Sequence, residues 1–122
     1  MKKLLSTAML AIALTSGAVM AADLKPKSII HVINVKWKKE ASKEQIQKAI
    51  DGLDAIAKAY PGLTRVWTKT FKLQLDQFDQ VIVMEFASKE AFDKYSGSDA
   101  QKEWYKVYLP IRQESRTNDI TN

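Results

Sequence analysis

Residues Ile29–Trp37 read IIHVINVKW, and this run limits the fold more than any other. Successive side chains of an extended strand point to opposite faces. Ile29, His31, Ile33, Val35 and Trp37 therefore share one face, and Ile30, Val32, Asn34 and Lys36 share the other. The first face is apolar except at His31. The second is apolar at one end and polar at the other. A strand of this kind needs cover on both sides, and 122 residues supply one domain at most.

Downstream, strand and helix signals alternate. Ser42 followed by Gln45 is a capping-box pattern, and Ile46, Ala49, Ile50, Leu53, Ile56, Ala57 and Tyr60 recur at helical spacing. Pro61-Gly62 ends that run, so the spacing predicts an amphipathic helix over Lys43–Ala59. Leu63–Leu73 is rich in Thr and aromatic residues and is expected to be a strand. A turn at Asp76–Asp79 joins it to a second strand over Gln80–Ala87, as a hairpin. Ser88 opens a further helix with Phe92 and Tyr95, which breaks at Ser96-Gly97-Ser98-Asp99. Ser98 and Gln101 open the next, with Trp104, Val107, Tyr108 and Ile111 on one side and Pro110 limiting its run. The tail, Gln113–Asn122, is polar apart from Ile120, and a last strand is expected there.

Strand, helix, strand, strand, helix, strand is two split units joined by right-handed crossovers. It predicts an α+β, ferredoxin-like βαββαβ sandwich. Helices cover one face of such a sheet. The other face keeps Ile30 and Val32 with nothing in this chain to shield them. A second copy is the expected cover, making a symmetric homodimer and a dimeric α+β barrel.

The first 21 residues read as an address. Lys2 and Lys3 precede an apolar stretch, Leu4 to Leu14, and Val19 and Ala21 offer a small-residue cleavage site. Cleavage after Ala22 is the alternative. The apolar stretch is shorter than the roughly 20 residues that span a bilayer. The expected organisation is a signal peptide at 1–21 and a domain at 22–122, exported to a periplasm or secreted, with no membrane contact after cleavage. Without Lys2 and Lys3 the formal charge of +5 falls to +3, with no basic stripe, so no nucleic-acid partner is expected.

Composition closes off several chemistries. The chain has no cysteine and one histidine, so thiolate catalysis is excluded, a zinc site is not expected, and no metal or cofactor is called for. The four glycines are far apart and form no phosphate-binding loop, and no serine lies in a G-x-S-x-G elbow. Asp51 and Asp54 are read as solvated. His31 interrupts an apolar strand face, so it is either an acid/base group near neutral pH or a core histidine satisfied by one backbone carbonyl. Tyr95, where the second helix breaks, is a candidate phenol or a partly buried aromatic. Trp37, Trp67, Trp104, Tyr105 and Tyr108 are expected to pack in the core and the dimer seam, with a stacking pocket as the other use.

The segment IIHVINVKWKKEASKEQIQKAIDGLDAIAKAYPGL, followed by VIVMEFASKEAFDKY and QKEWYKVYLPI, resembles the stress-responsive A/B barrel (Dabb) family over about Ser28 to Ile120. The resemblance implies a ferredoxin-like fold and a dimeric α+β barrel. One activity in that family is a plant polyketide cyclase that uses a tyrosine and a histidine as acid and base. Tyr95 falls on the tyrosine position. Ser98-Asp99-Ala100-Gln101 falls on the family's H-P-x-H segment, so Gln101 replaces the catalytic histidine, and Gln80 replaces another pocket histidine. His31 alone survives, and glutamine cannot shuttle a proton at neutral pH. Barrels of the monooxygenase type use Asn, Trp and His, of which Trp67 and Asn34 offer two types, although Asn34 lies on the opposite strand face from His31. The ligand-binding positions implied are His31, Trp67, Gln80, Tyr95 and Gln101. The expected function is a non-catalytic exported homodimer holding an apolar small molecule between sheet and helices. The alternatives are a cofactor-independent enzyme, cyclase-like or monooxygenase-like, and a purely structural oligomer.

Overall fold

The computed structural model describes residues 24–122. The expected signal peptide, residues 1–21, lies outside the described residues. The order is β1 (Ile29–Trp37), α1 (Lys43–Ala59), β2 (Leu63–Trp67), β3 (Gln80–Phe86), α2 (Lys89–Tyr95), α3 (Asp99–Tyr108), a 3-10 turn (Leu109–Ile111) and β4 (Arg112–Ile120). The sheet runs β2-β3-β1-β4, and every pair is antiparallel. This is the expected ferredoxin-like α+β arrangement, with one extra helix because Gly97 divides the second helical segment. Gly97 has φ +77°, a conformation that glycine adopts without steric cost.

Local chemistry explains the helix ends. Ser42 Oγ accepts from the Gln45 N–H at 3.1 Å, and Gln45 Oε1 accepts from the Ser42 N–H at 2.8 Å. That reciprocal cap contributes about 1 kcal/mol. Ser88 and Ser98 cap α2 and α3 from one side only, their Oγ atoms accepting from the Ala91 and Gln101 N–H groups. α1 buries Ala49, Leu53 and Ile56 against Ile33, Val35, Ile82, Met84 and Phe86 of the sheet. Each full aliphatic burial stabilises the fold by about 1.5–3 kcal/mol. α3 closes on α1 through Trp104, whose Nε1–H donates to the Ala49 carbonyl at 2.8 Å. Gly52 makes the close approach tolerable, since a Cβ there would lie 2.8 Å from Trp104 Cδ1.

Two strands differ from the expectation. β2 ends at Trp67, not Leu73. Beyond it, side chains replace the backbone ladder: Gln80 Nε2–H donates to the Thr68 carbonyl at 2.7 Å, and Thr70 Oγ1 accepts from the Val81 N–H at 2.8 Å. The chain stays tied to β3 but leaves strand geometry, and Phe71 stands fully exposed. The polar tail, in contrast, forms a full nine-residue strand. β4 pairs with β1 along its whole length, with one register shift near Trp37. Its polarity suits an edge, because charged and polar edge strands resist unwanted pairing. Thr121 and Asn122 then fasten the segment that precedes β1, donating to the Ser28 and Pro26 carbonyls at 3.0 and 2.8 Å.

The sheet face away from the helices carries Ile30, Val32, Val81 and Val83 with Trp67 and Ile120, and none of these joins the buried core. No described helix packs there. Glu85 lies on the same face yet is only 3% exposed. Arg65 donates to both of its carboxylate oxygens, and Ser28 Oγ–H donates to Oε1 at 2.8 Å. The guanidinium hydrogen bonds outweigh the burial and hold the Glu85 carboxyl below its ordinary range.

Candidate functional site

β1 presents His31 to the helix layer, as its alternation requires. β4 brings Arg112, Ser115, Thr117 and Asp119 to the same layer, since their cross-strand partners are Trp37, Val35, Ile33 and His31. α2 ends on Tyr95, and α3 adds Gln101, Trp104, Tyr105 and Tyr108. Together they enclose a cavity of about 40 Å³ between helices and sheet, lined by His31, Tyr95, Gln101, Tyr108, Arg112, Ser115 and Thr117 among others. That is room for about three to four waters or as many ligand heavy atoms.

His31 Nδ1 is hydrogen-bonded to Asp119 Oδ1. A carboxylate only accepts, so Nδ1 carries the proton and Nε2 is the nitrogen left for another partner. The ring also packs on Phe92, centroids 5.5 Å apart. His31 therefore has a carboxylate behind it, where the plainer expectation was a backbone carbonyl.

Tyr95 and Tyr108 are 3% and 2% exposed; the Tyr95 hydroxyl has no hydrogen-bond partner, and the Tyr108 hydroxyl makes no bond of full geometry, with Ser115 and Arg112 beside it. A buried polar group without a partner is costly, so two in one cavity call for a reason. Burial is the main cause that pushes the Tyr95 phenol well above its ordinary range, with Tyr105 and Tyr108 adding to it. Burial also raises Tyr108, opposed by Ser115 and Arg112. Both phenols stay neutral near pH 7 and act as O–H donors.

Gln101 is occupied on both sides of its amide. Its Oε1 accepts from the Gly97 N–H at 2.7 Å, and its Nε2–H donates to Tyr105 Oη at 3.1 Å. It fastens the turn between α2 and α3 while lining the cavity. Arg112 donates to Ser115 Oγ at 3.3 Å, and its guanidinium lies 5.3 Å from the Tyr108 ring centroid.

Three of the five expected ligand positions, His31, Tyr95 and Gln101, thus meet in one cavity. Trp67 and Gln80 do not. Trp67 is 46% exposed on the far sheet face, with the Arg65 guanidinium 5.7 Å from its ring. Gln80 pairs with Val35, four residues along β1 from His31, or about 13 Å away. It accepts from Trp37 Nε1–H at 3.2 Å and ties down Thr68. Tyr108, Arg112, Ser115, Thr117 and Asp119 were not expected at the site. The period-two pattern Ser115, Thr117, Asp119 in the tail was the signal, and it reads as one polar strand face.

The cavity between sheet and helices is small and mixed, with His31, Arg112 and the hydroxyls beside Ile33, Met84 and Trp104, and it has little room for an apolar ligand. The apolar concavity lies elsewhere, between α1 and α3, at about 440 Å³, floored by Trp104, Ile56 and Val107 and rimmed by Asp99 and Glu103. Among the described residues no group of three or more His, Cys, Asp or Glu is placed to hold a metal ion. No described helix is long and apolar enough to cross a membrane.

Solved structures share this architecture. A dimeric ferredoxin-like protein of unknown function from Thermobifida fusca is 15% identical, covers 80% of this chain and 92% of its own, and superposes with a TM-score of 0.68. Hydroxynitrile lyase from Passiflora edulis is 18% identical over 78% of this chain and 93% of its own, with a TM-score of 0.70. A cofactor-independent oxygenase from Streptomyces nogalater is 10% identical over 79% and 93%, with a TM-score of 0.63. At these identities the likeness is one of fold. No curated protein matches the chain in sequence. The model of the stress responsive A/B barrel domain matches residues 29–122. With nearly all of the described fold inside that match, the chain belongs to the stress-responsive A/B barrel (Dabb) family.

Proposed function

We propose that this protein is an exported homodimer whose role is to hold a small polar molecule in the cavity under α2 and α3. The observation that carries the binding role is the pair of buried, unpartnered phenols, Tyr95 and Tyr108, facing one cavity with His31. Orphaned donors destabilise an empty fold and are offset when a ligand accepts from them. The cavity's small size and polar groups move the reading from an apolar ligand to a polar one. Dimerisation is supported by the uncovered Ile30, Val32, Val81 and Val83 on the sheet face, and by relatives of the same fold that are dimeric. Export rests on the leader at 1–21.

A second reading has its own support. His31 backed by Asp119 and lining one cavity with Tyr95 is an arrangement suited to acid/base work, and two relatives of the same fold are a hydroxynitrile lyase and a cofactor-independent oxygenase. Against it, Gln101 stands where the resembling cyclase has its histidine, and Tyr95 does not ionise near neutral pH.

Native mass spectrometry of protein purified from the compartment that receives it tests the first reading. The expected spectrum is twice the mass of a chain lacking the leader, with a small retained adduct. A single-chain mass without adduct overturns both the dimer and the retained ligand.

A further inference from the structure

The cavity has a sign. Arg112 is half-buried in its wall and makes no ion pair among the described residues, and its only described hydrogen bond is to Ser115 Oγ. A guanidinium has five N–H donors, so most of its capacity is unspent on protein side chains. No carboxylate lines the cavity; Asp119, the nearest acid, is engaged by His31 outside the lining. Tyr95 adds a buried O–H with nothing to donate to, and Tyr108 adds a second whose contacts with Ser115 and Arg112 fall short of full hydrogen-bond geometry. Tyr105 accepts from Gln101, which leaves its own O–H free to donate. The cavity therefore offers donors and one fixed positive charge, and its acceptors, His31 Nε2 and the hydroxyl oxygens, are all neutral.

We propose that the cavity is a site for a small carboxylate, of about the size of acetate, held by Arg112 and by the hydroxyls of Tyr95 and Tyr108. This rests on the reading of the cavity as a ligand site and adds the chemical class. Carboxylate oxygens only accept, about four lone-pair sites in all, which matches a set of donors. Arg is suited to a planar two-oxygen group, and a charge-assisted bond is roughly twice as strong as a neutral one. The volume of about 40 Å³ excludes longer acids unless the helices part. Ser115 and Thr117, hydroxyls on the floor from β4, can turn to donate as well.

Titration calorimetry with acetate, acetamide and inorganic phosphate separates the possibilities. Acetate is expected to bind at least tenfold more tightly than acetamide, its neutral isostere, and than phosphate, which is larger and tetrahedral. Arg112→Gln and Tyr108→Phe are each expected to weaken acetate at least tenfold with the near-UV circular dichroism unchanged. Tyr108→Phe removes one oxygen only, so it decides the matter if Arg112→Gln fails to fold. Acetamide binding as tightly as acetate, or acetate binding unaffected by these substitutions, overturns the carboxylate assignment while leaving a polar-ligand site standing. Tighter binding of phosphate also overturns it. Binding of none of the three overturns the ligand-site reading itself.

Discussion

Asp119 lies directly opposite His31 in the β1–β4 register, and its carboxylate takes the imidazole Nδ1. Eighty-eight residues separate the two in sequence, so the pair exists only because the last strand returns to the first. Asp119→Ala leaves Nδ1 of a largely buried ring without its partner, and the expected loss is about 1–2 kcal/mol. Urea denaturation checks it. An unchanged midpoint would mean the pair adds nothing measurable in solution.

The orphaned phenols predict an unusual sign. In protein freed of small molecules, Tyr95→Phe and Tyr108→Phe each remove a buried hydroxyl that has no partner, and each is expected to stabilise the fold by about 1 kcal/mol. For a domain of this size that raises Tm by about 4–8 °C. Differential scanning calorimetry of the two variants decides it, and a drop in Tm would show that the hydroxyls are satisfied in solution.

Glu85 sets an acid limit. Its folded pKa lies below the ordinary carboxylate value of 4.5, chiefly through hydrogen bonds from Arg65. A depressed pKa means that the folded state releases this proton more readily than the unfolded one. The contribution is present above about pH 4.5 and disappears as pH falls through the folded value. Denaturation midpoints taken between pH 6 and pH 3 should fall for the parent protein and fall less steeply for Glu85→Gln. Parallel profiles would remove Glu85 from the explanation of acid sensitivity.

Gly52 sits inside α1, where alanine is the better helix former by about 1 kcal/mol. The added Cβ would meet Trp104 Cδ1 at 2.8 Å, and that indole is stacked on Tyr108 at 4.2 Å and hydrogen-bonded to Ala49. Trp104 has no room to yield, so Gly52→Ala is expected to destabilise by a net of about 1–2 kcal/mol. A rise in chemical-denaturation midpoint would show instead that α3 shifts at little cost.

The elements that were legible in the sequence are those where one cause dominates. β1 shows its alternation, and α1 shows its apolar stripe, its Ser42–Gln45 cap and its Pro61-Gly62 stop, so their bounds agree with expectation. β2 was read too long because Thr68, Thr70 and Phe71 have strand-forming side chains, while the backbone partners they would need are met by the side chains of Gln80 and Thr70. β4 contributes almost nothing apolar, so hydrophobic alternation does not mark its faces, yet its backbone pairing with β1 needs no apolar side chain. The site followed the same division. His31, Tyr95 and Gln101 stand on elements whose faces the pattern revealed. Arg112, Ser115, Thr117 and Asp119 stand on the strand whose face it concealed. Trp67 and Gln80 were set by resemblance of type and position, and the register carries them to the other face and the other end of the sheet.

The strand order β2-β3-β1-β4 also sets a timetable for folding. β1 is the first strand synthesised, and neither of its neighbours follows it directly in the chain. One flank waits for β3, and the other waits for the nine residues of β4 at the far terminus. Closing loops of that length before any pairing is gained is slow on the scale of small domains. Until the last residues are free to join, β1 keeps an unpaired edge beside the half-built cavity. The cavity under α2 and α3 and the finished sheet close in the same late step.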